Sequence, residues 1–321
     1  MDQDCDEVSY KIADQIIWPH GRVFIHHRII HGGLLPAVVE SWFPHTNDSY
    51  GLLLEDDIEL SPMYYAWIKM TVLRYRYLPP SLLSSAIHYN AISPIRYGDP
   101  RNKIPHMFGI SLYQQKHLEL PLEGRQPFNP RTLFSSSGLA HPTTPYLSQI
   151  PCSWGAVYFP EQWREFHDYL ALRLSEVSIA IEEDIVPGVR SNSWSKSWKK
   201  FFIELIFLRG YVMLYPNYDN FVSLSTNHLE VGSHVKTRSK AKQDLFLLPL
   251  MQLPNERQKC DLLDLPYGTL PPLDQLPVLN LTGSLTSVEV IVDIGRLRRD
   301  KLTGCIDPAK LYDIPSLMCI H

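Results

Sequence analysis

The sequence has few cysteines, no long apolar run and little excess of either charge. The five cysteines among 321 residues form no CxxC pair and no cluster, so neither a disulfide scaffold nor a zinc knuckle is expected. No stretch reaches the roughly 18 apolar residues of a membrane-spanning helix, and the acidic N-terminus is not a targeting segment. A net charge of −4 excludes a strong basic field for nucleic acid.

The composition that remains is that of a folded protein. Hydrophobic residues make up 45% of the chain and charged residues 20%, which is ordinary for a globular domain. The length allows one large domain or two small ones. Proline is the exception, with 26 residues against 16 glycines. This excess indicates many irregular connections and is not accompanied by a repeat.

Strand-like and helix-like patterns alternate along most of the chain. Apolar spacing predicts helices, a short apolar run bounded by glycine or acids predicts a buried strand, and Ser-Pro predicts a helix start. The predicted helices cover 32–42, 61–75, a stretch from 160 and 195–208, where Gly210 ends the helix; the predicted strands cover 50–54, 108–113, 152–159, 211–216 and 287–294; a Pro/Ser/Thr-rich surface loop is predicted over 127–145.

Three consecutive acids, Glu55, Asp56 and Asp57, follow the predicted strand at 50–54. Clustered carboxylates repel one another unless a cation lies between them. Oxygen ligands suit Mg²⁺ or Mn²⁺, and the end of a strand is where α/β sheets bind ligands. The triplet therefore indicates a metal that neutralises a diphosphate. The alternative is that the acids stabilise the N-terminus of the helix beginning near Ser61.

The segment LLLEDDIELSP, residues 52–62, resembles the metal motif of GT-A glycosyltransferases. It is most similar to the Glu-Asp-Asp form found in N-acetylglucosaminyltransferase I and in a family 2-like group of fungi and plants. Further segments resemble blocks of the same family in the same order, and the resemblance extends over about residues 18–235. These segments are 16–44, 150–170, 197–218 and 224–235.

The resemblance implies an α/β fold in which a GT-A-like nucleotide-diphospho-sugar transferase sheet is flanked by helices. It implies a metal-dependent transfer of sugar from a nucleotide-sugar donor to a glycan or other hydroxyl acceptor. Asp57 is then the ligand of Mn²⁺ (or Mg²⁺), and Glu55 and Asp56 belong to the donor site. His234, which follows Gly-Ser, is the expected second metal ligand in preference to His228. A full-length form is expected in the Golgi or another secretory membrane.

Other residues of the expected site lie after residue 150. Arg190, Lys199 and Lys200 could hold the charge of the donor diphosphate. The alternative is a solvated face, which is favoured for the two lysines, and Arg190 is assigned to the donor. On the acceptor side, the resemblance points to Trp154, Gly155 and Glu161. Trp154 would offer a flat face to a sugar ring, and its alternative is a place in the core.

An inverting transferase needs a carboxylate that takes the proton of the acceptor hydroxyl. The segment where the family carries it, 191–200, contains no acid. Glu183 and Asp184 are the candidates that could reach the site. Glu204 stands in the middle of a helix and is expected to pair with Lys200 or Arg209. A retaining mechanism needs no such base, so both stereochemical outcomes stay open.

Residues 1–235 are expected to form the GT-A-like domain. Only about seventeen residues precede the first matching segment, so this domain is expected to be N-terminally truncated and to lack its first βα unit. Residues 236–321 are expected to form a Pro-rich C-terminal extension, irregular in part. Two other functions remain open: a non-catalytic GT-A-like scaffold or fragment without donor binding, and a metal-dependent phosphohydrolase.

Overall fold

Eleven strands and eight α-helices make up the part of the chain that the computed structural model describes, residues 7–77, 106–175, 183–230, 240–255 and 260–303. The strands are β1 (Gly51–Leu53), β2 (Ile58–Leu60), β3 (Met107–Ser111), β4 (His117–Leu118), β5 (Gln126–Pro127), β6 (Tyr146–Ser148), β7 (Ala156–Tyr158), β8 (Val212–Tyr215), β9 (Ser225–Asn227), β10 (Val278–Leu279) and β11 (Leu285–Thr286). The helices are α1 (Glu7–Asp14), α2 (Leu34–Val39), α3 (Tyr64–Val72), α4 (Pro130–Ser136), α5 (Pro160–Leu174), α6 (Trp198–Arg209), α7 (Lys240–Phe246) and α8 (Val288–Thr303).

Seven strands form one central sheet in the order β1-β7-β3-β8-β6-β10-β11. The pairs β3–β8 and β6–β10 are parallel and the other pairs are antiparallel. Two small sheets, β2–β9 and β4–β5, lie outside it. The fold is therefore mixed α/β with helices around a central sheet, which confirms the coarse part of the predicted fold class.

Both faces of the central sheet are apolar and covered. Successive residues of a strand point to opposite faces, so Tyr158 joins one buried cluster and Val157 the other. The first cluster contains residues of α2, α5 and α6, such as Phe202. The second contains Trp67 of α3 and apolar residues that follow residue 250. Burial of these two faces is what positions the strand ends.

Several element boundaries follow local signals in the sequence. Pro160 begins α5, where its missing N–H costs no hydrogen bond. Gly210 ends α6 with φ 65°, a left-handed conformation that glycine adopts without strain. The hydroxyl of Ser61 accepts a hydrogen bond from the N–H of Met63 just before α3. The α-helical part of the predicted helix ends at Val72, and a π-helix, Leu73–Tyr77, continues it past residue 75.

The predicted strand at 287–294 is wrong, because these residues begin α8. Ser287 starts the helix: its hydroxyl accepts from the N–H of Val290 and its carbonyl from that of Ile291. The helix packs closely on α6, and a Cβ at Gly295 would lie 2.4 Å from the carbonyl oxygen of Phe207. Close packing against another helix thus decides the conformation of a segment whose β-branched residues favour a strand.

The predicted loop at 127–145 contains a helix, α4. The side chain of Asn129 accepts hydrogen bonds from the N–H groups of Arg131 and Thr132, and Pro130 stands at the first helical position. This is the usual start of a helix. The Pro/Ser/Thr content therefore marks a capped short helix within the connection.

The described residues after 235 are joined to the same sheet. β10 pairs with β6 in parallel, β11 pairs with β10, and α8 packs on α6. The boundary at residue 235 and the missing first βα unit stay predictions. None of the helices in the described ranges is long and apolar enough to cross a membrane.

Candidate functional site

The acidic turn, Glu55–Asp57, lies where the chain leaves the central sheet. It connects β1, at one edge of that sheet, to β2, which pairs only with β9 in the described part of the chain. The N–H of Ile58 donates to the carbonyl of Glu55 over 3.3 Å, which closes the turn. The antiparallel β2–β9 pair brings the residues after β9 beside the three acids.

The last residue of β9 and the residues that follow it hold Asp57 in one orientation. The carboxylate of Asp57 accepts a hydrogen bond from Nδ2 of Asn227 over 2.9 Å and another from the backbone N–H of Glu230. Its backbone carbonyl accepts from the N–H of His228 over 2.9 Å. Oδ1 of Asn227 in turn accepts from the N–H of Leu229. The side chain is therefore oriented before any ligand binds.

Burial and neighbouring carboxylates raise the pKa of Glu55 and of Asp57. Burial raises the pKa of Glu55 to about 7; Asp57 and Asp56 add to the rise and Lys199 opposes it. Burial and Asp56 also raise the pKa of Asp57, while its hydrogen bonds act in the opposite direction. Negative charge is thus held at higher free energy here than in water, and an added cation would stabilise the ionised forms.

The donor set of the turn fits a divalent cation that is shared with a phosphate ligand. Within the described ranges, no three His, Cys, Asp or Glu side chains are arranged to hold a metal by themselves. Mg²⁺ and similar ions are commonly bound by one or two carboxylates together with substrate phosphates. Asp57 and Glu55 supply such carboxylates. A carboxylate has more lone pairs than the hydrogen bonds that these side chains accept, so lone pairs remain for a metal.

Lys199, which was expected on a solvated face, is buried. Its relative exposure is 6%, and its Nζ forms an ion pair with the equally buried Glu119. The same Nζ lies 5.5 Å from the centre of the Trp154 ring. Lys199 also opposes the rise in the pKa of Glu55, so among the described residues it supplies positive charge to the acidic turn. The prediction failed because its partners come from segments far away in the sequence.

Trp154 and Gly155 lie next to the acidic turn. In the antiparallel β1–β7 pair Leu53 stands opposite Ala156, so the residues before Ala156 adjoin the end of β1. The half-buried Trp154 ring packs against Tyr113 and Phe246, with ring centroids 4.9 Å and 5.0 Å apart. Gly155 has φ 89°, and a Cβ there would lie 3.0 Å from Ser225. Both residues thus have a packing role at this place.

Glu161 lies at the other end of the strand. Gly51 stands opposite Tyr158, so residues beyond Tyr158 adjoin the start of β1 and not the acidic turn. Both carboxylate oxygens of Glu161 lie 3.0 Å from Nη2 of Arg76, whose side chain is 4% exposed. The structure therefore does not bring Glu161 to the other predicted site residues.

The candidate bases Glu183 and Asp184 are attached to α8. Oε2 of Glu183 lies 2.9 Å from Nη1 of Arg298 and 2.9 Å from Nζ of Lys301. Hydrogen bonds from Lys301 and Arg298 hold the pKa of Glu183 below its ordinary value. Arg298 also donates to the backbone carbonyl of Asp184. Neither carboxylate is brought to the acidic turn by these contacts.

The two candidate histidines have different outcomes. His234 lies outside the described residues, so its assignment as a metal ligand stays a prediction. Nε2 of His228 lies 2.7 Å from Oε2 of Glu59, and both side chains are largely exposed. His228 therefore contacts β2 and not the carboxylates of the acidic turn.

Arg190 belongs to a group of cations and rings that sequence reasoning missed. Its guanidinium lies 5.6 Å from the ring of Trp194. Arg125 lies near it, 4.9 Å above the ring of Phe246, and the two charges act on each other. Phe246 contacts Trp154, so rings connect this group to Lys199. No local motif in the sequence marks these contacts.

Two hollows adjoin this side of the site. A cavity of about 20 Å³, room for roughly one water, is lined by Glu119, Trp154 and Lys199 among others. An open groove of about 590 Å³ runs along α4. Lys116 and His117 line both hollows. The groove therefore shares part of its wall with the small cavity that Lys199 lines.

The family model described as the SPBC1E8.03c C-terminal domain matches residues 1–107 and 126–179. The match includes the acidic turn and Trp154, and it leaves out Arg125, Arg190 and Lys199. A comparison with curated proteins found no match. Because the matched residues make up half of the chain, the protein belongs to the SPBC1E8.03c C-terminal domain family.

Proposed function

We propose that the protein is a metal-dependent glycosyltransferase that moves a sugar from a nucleotide-sugar donor to a hydroxyl of a glycan or other acceptor. The observation that carries the proposal is the pair of carboxylates with raised pKa, Glu55 and Asp57, beside the buried Lys199. A metal–diphosphate group needs both signs of charge: carboxylates for the metal and a cation for the phosphate oxygens.

Asp57 and Glu55 would hold the Mn²⁺ or Mg²⁺ ion. Bound there, the metal would neutralise charge on the diphosphate leaving group. The protein contributes orientation, because Asn227 and the N–H of Glu230 fix the Asp57 carboxylate. Loss of a partner that orients a metal ligand in this way typically lowers metal affinity about 10–100-fold.

Lys199 would complete the donor side, and Trp154 lies next to it on the acceptor side. Lys199 is held by Glu119, and its charge is already placed beside the acidic turn when the ligand arrives. Preorganised charge of this kind stabilises a developing anion without rearrangement. Trp154 is half-buried, so part of its ring remains available to a sugar. The groove along α4 offers space for the acceptor.

The proposal assigns no general base. Glu183 is bound by two cations of α8 that hold its pKa low, whereas a base that takes a hydroxyl proton works best with a pKa near the operating pH. Glu204 is buried in an ion pair with Arg173 of α5. The predicted partners were Lys200 and Arg209. Both stereochemical outcomes therefore stay part of the proposal.

Calorimetric titration of UDP and GDP, with and without Mn²⁺, tests donor binding. A nucleotide-sugar hydrolysis screen then compares wild type with Asp57→Asn, a change that keeps the shape of the side chain. We expect about a 100-fold loss of turnover in the variant, the usual effect of removing one charge-stabilising group. Glu59→Gln is the matched control, since Glu59 is an exposed acid two residues away and should leave turnover unchanged.

The same experiments separate the alternatives. Absence of UDP and GDP binding would favour a non-catalytic scaffold. Release of inorganic phosphate from nucleotides without an acceptor would favour a phosphohydrolase. Equal turnover in wild type and Asp57→Asn would remove the metal role of Asp57, whichever reaction is catalysed.

A further inference from the structure

Arg125 and Arg190 lie together on neighbouring loops. The backbone N–H of Arg190 donates to the carbonyl of Leu120 over 3.0 Å, which joins the loop before Arg125 to the 3₁₀ turn Arg190–Ser193. A methyl group built on Gly124 would lie 3.9 Å from Nη1 of Arg190. The guanidinium of Arg190 therefore lies beside the residue that precedes Arg125.

Both guanidinium groups are supported by aromatic rings. That of Arg125 lies 4.9 Å from the centre of the Phe246 ring, and that of Arg190 lies 5.6 Å from the Trp194 ring. Phe246 is itself fixed, because it is buried and contacts Trp154. A guanidinium stacked on a ring still presents its N–H edge, and this planar fork matches phosphate and carboxylate oxygens.

No carboxylate pairs with either arginine within the part of the chain that the structure describes. Glu119 acts on the charge of Arg125, but its own ion pair is with Lys199. Two like charges held near each other cost free energy, and a bound anion would remove that cost. The arrangement is therefore built for an anionic ligand.

We propose that Arg125 and Arg190 form a subsite for a phosphate or carboxylate group carried by the acceptor. That the anion belongs to the acceptor rests on the proposed function, whereas the binding of an anion does not. The contacts that lead from this pair to the acidic turn pass through Phe246, Trp154 and Lys199. Lys199 is the described cation whose charge acts on Glu55, so in the proposed function it would serve a donor diphosphate at the acidic turn and leave the arginine pair for another group.

Titration of the metal-free protein with inorganic phosphate, and separately with acetate, tests the subsite at low ionic strength. We expect saturable binding of at least one anion, and the stronger of the two identifies the group. Because a charged hydrogen bond contributes about 1.5–3 kcal/mol, each of Arg125→Gln and Arg190→Gln should weaken it about tenfold or more. Arg296→Gln, on the surface of α8, is the matched control. Thermal unfolding checks that the variants are folded.

Equal affinity in wild type, Arg125→Gln and Arg190→Gln would overturn the proposal, as would an equal loss in Arg296→Gln.

A second arm of the experiment adds UDP and Mn²⁺. Independent binding of the anion and UDP supports an acceptor subsite, whereas competition would assign the arginines to the donor and overturn it. Asp57→Asn should bind the anion as wild type does. Failure of UDP to bind would refute the proposed function while the metal-free titration still decides on the arginine pair.

Discussion

The acidic turn and the surroundings of Lys199 are two neighbouring regions of the candidate site, and they are formed from the chain in different ways. The acids are three consecutive residues, Glu55–Asp57, at the end of one strand. The basic side combines Lys199 of α6 with Glu119, Trp154 and Phe246, which come from three other segments. A local motif is visible in a sequence, whereas an ion pair between residues 80 positions apart exists only after folding.

The two regions also differ in how their charge is balanced. Asp57 accepts hydrogen bonds from its neighbours, yet burial and neighbouring carboxylates raise its pKa and that of Glu55. Lys199 has a buried carboxylate partner in Glu119. A bound cation would therefore stabilise the acidic turn most. The stability of the Lys199–Glu119 pair depends instead on both partners being present. Variants in each region should separate these two roles.

The largest expected effect comes from Lys199→Met, which leaves the buried carboxylate of Glu119 without its partner. Breaking a buried pair from one side costs about 3–5 kcal/mol of unfolding free energy. Urea unfolding at neutral pH measures the loss. The double variant Lys199→Met with Glu119→Leu should recover most of it, because no unpaired charge remains. A loss below about 1 kcal/mol would show that the pair contributes no more than an exposed ion pair does.

The acidic turn should make the metal-free protein sensitive to pH. The pKa of Glu55 is about 7 in the folded chain against an ordinary 4.5, so its favourable contribution is complete below pH 4.5 and is lost as the pH rises through 7. At pH 8 this loss reaches up to about 3 kcal/mol.

Glu55→Gln should therefore stabilise the metal-free protein at pH 8 and have little effect at pH 4. Urea unfolding of both proteins in the presence of a chelator gives the comparison. An equal difference between them at the two pH values would contradict the raised pKa. Glu59→Gln is the matched control, since Glu59 is an exposed acid two residues beyond the turn and is not among the groups that shift the pKa of Glu55.

The smallest expected effect is that of Gly155→Ala, at the turn where the two regions meet. An L-residue at φ 89° is strained, and its Cβ would press on Ser225 at 3.0 Å, so we expect a loss of about 2 kcal/mol. Gly188→Ala separates the two causes, because Gly188 has φ 71° and no atom within 4 Å of a built Cβ. Equal losses in both variants would show that the contact with Ser225 contributes nothing.

Patterns along the chain predicted the elements that carry strong local signals. The strands β1, β3, β7 and β8 and the helices α5 and α6 lie where apolar runs and Pro or Gly boundaries indicated them. The segment at 287–294 failed, because its valines and isoleucines favour a strand while packing against α6 makes it a helix. The prediction of a loop at 127–145 was wrong, because Asn129 and Pro130 begin a short helix within it.

Side-chain partners were the least predictable feature. Glu204 was assigned Lys200 or Arg209 because they are near in the chain, yet Tyr169 donates to it over 2.8 Å and Arg173 over 2.9 Å, both from α5. Glu161 was placed at the site, although the antiparallel register puts it at the opposite end of β1. Helix packing and strand register decide such contacts, and neither can be deduced from local spacing.

The sequence by itself determined the mixed α/β class and the cluster of acids at a strand end, since both depend on residues that are adjacent or regularly spaced. Tertiary structure alone decided which donors and charges surround those acids: β9 brings the amide of Asn227 to Asp57, and α6 carries the Lys199 charge that acts on Glu55. The physical reason is that burial makes an unpaired charge costly. The partners of a buried charge are therefore chosen by proximity in the folded protein.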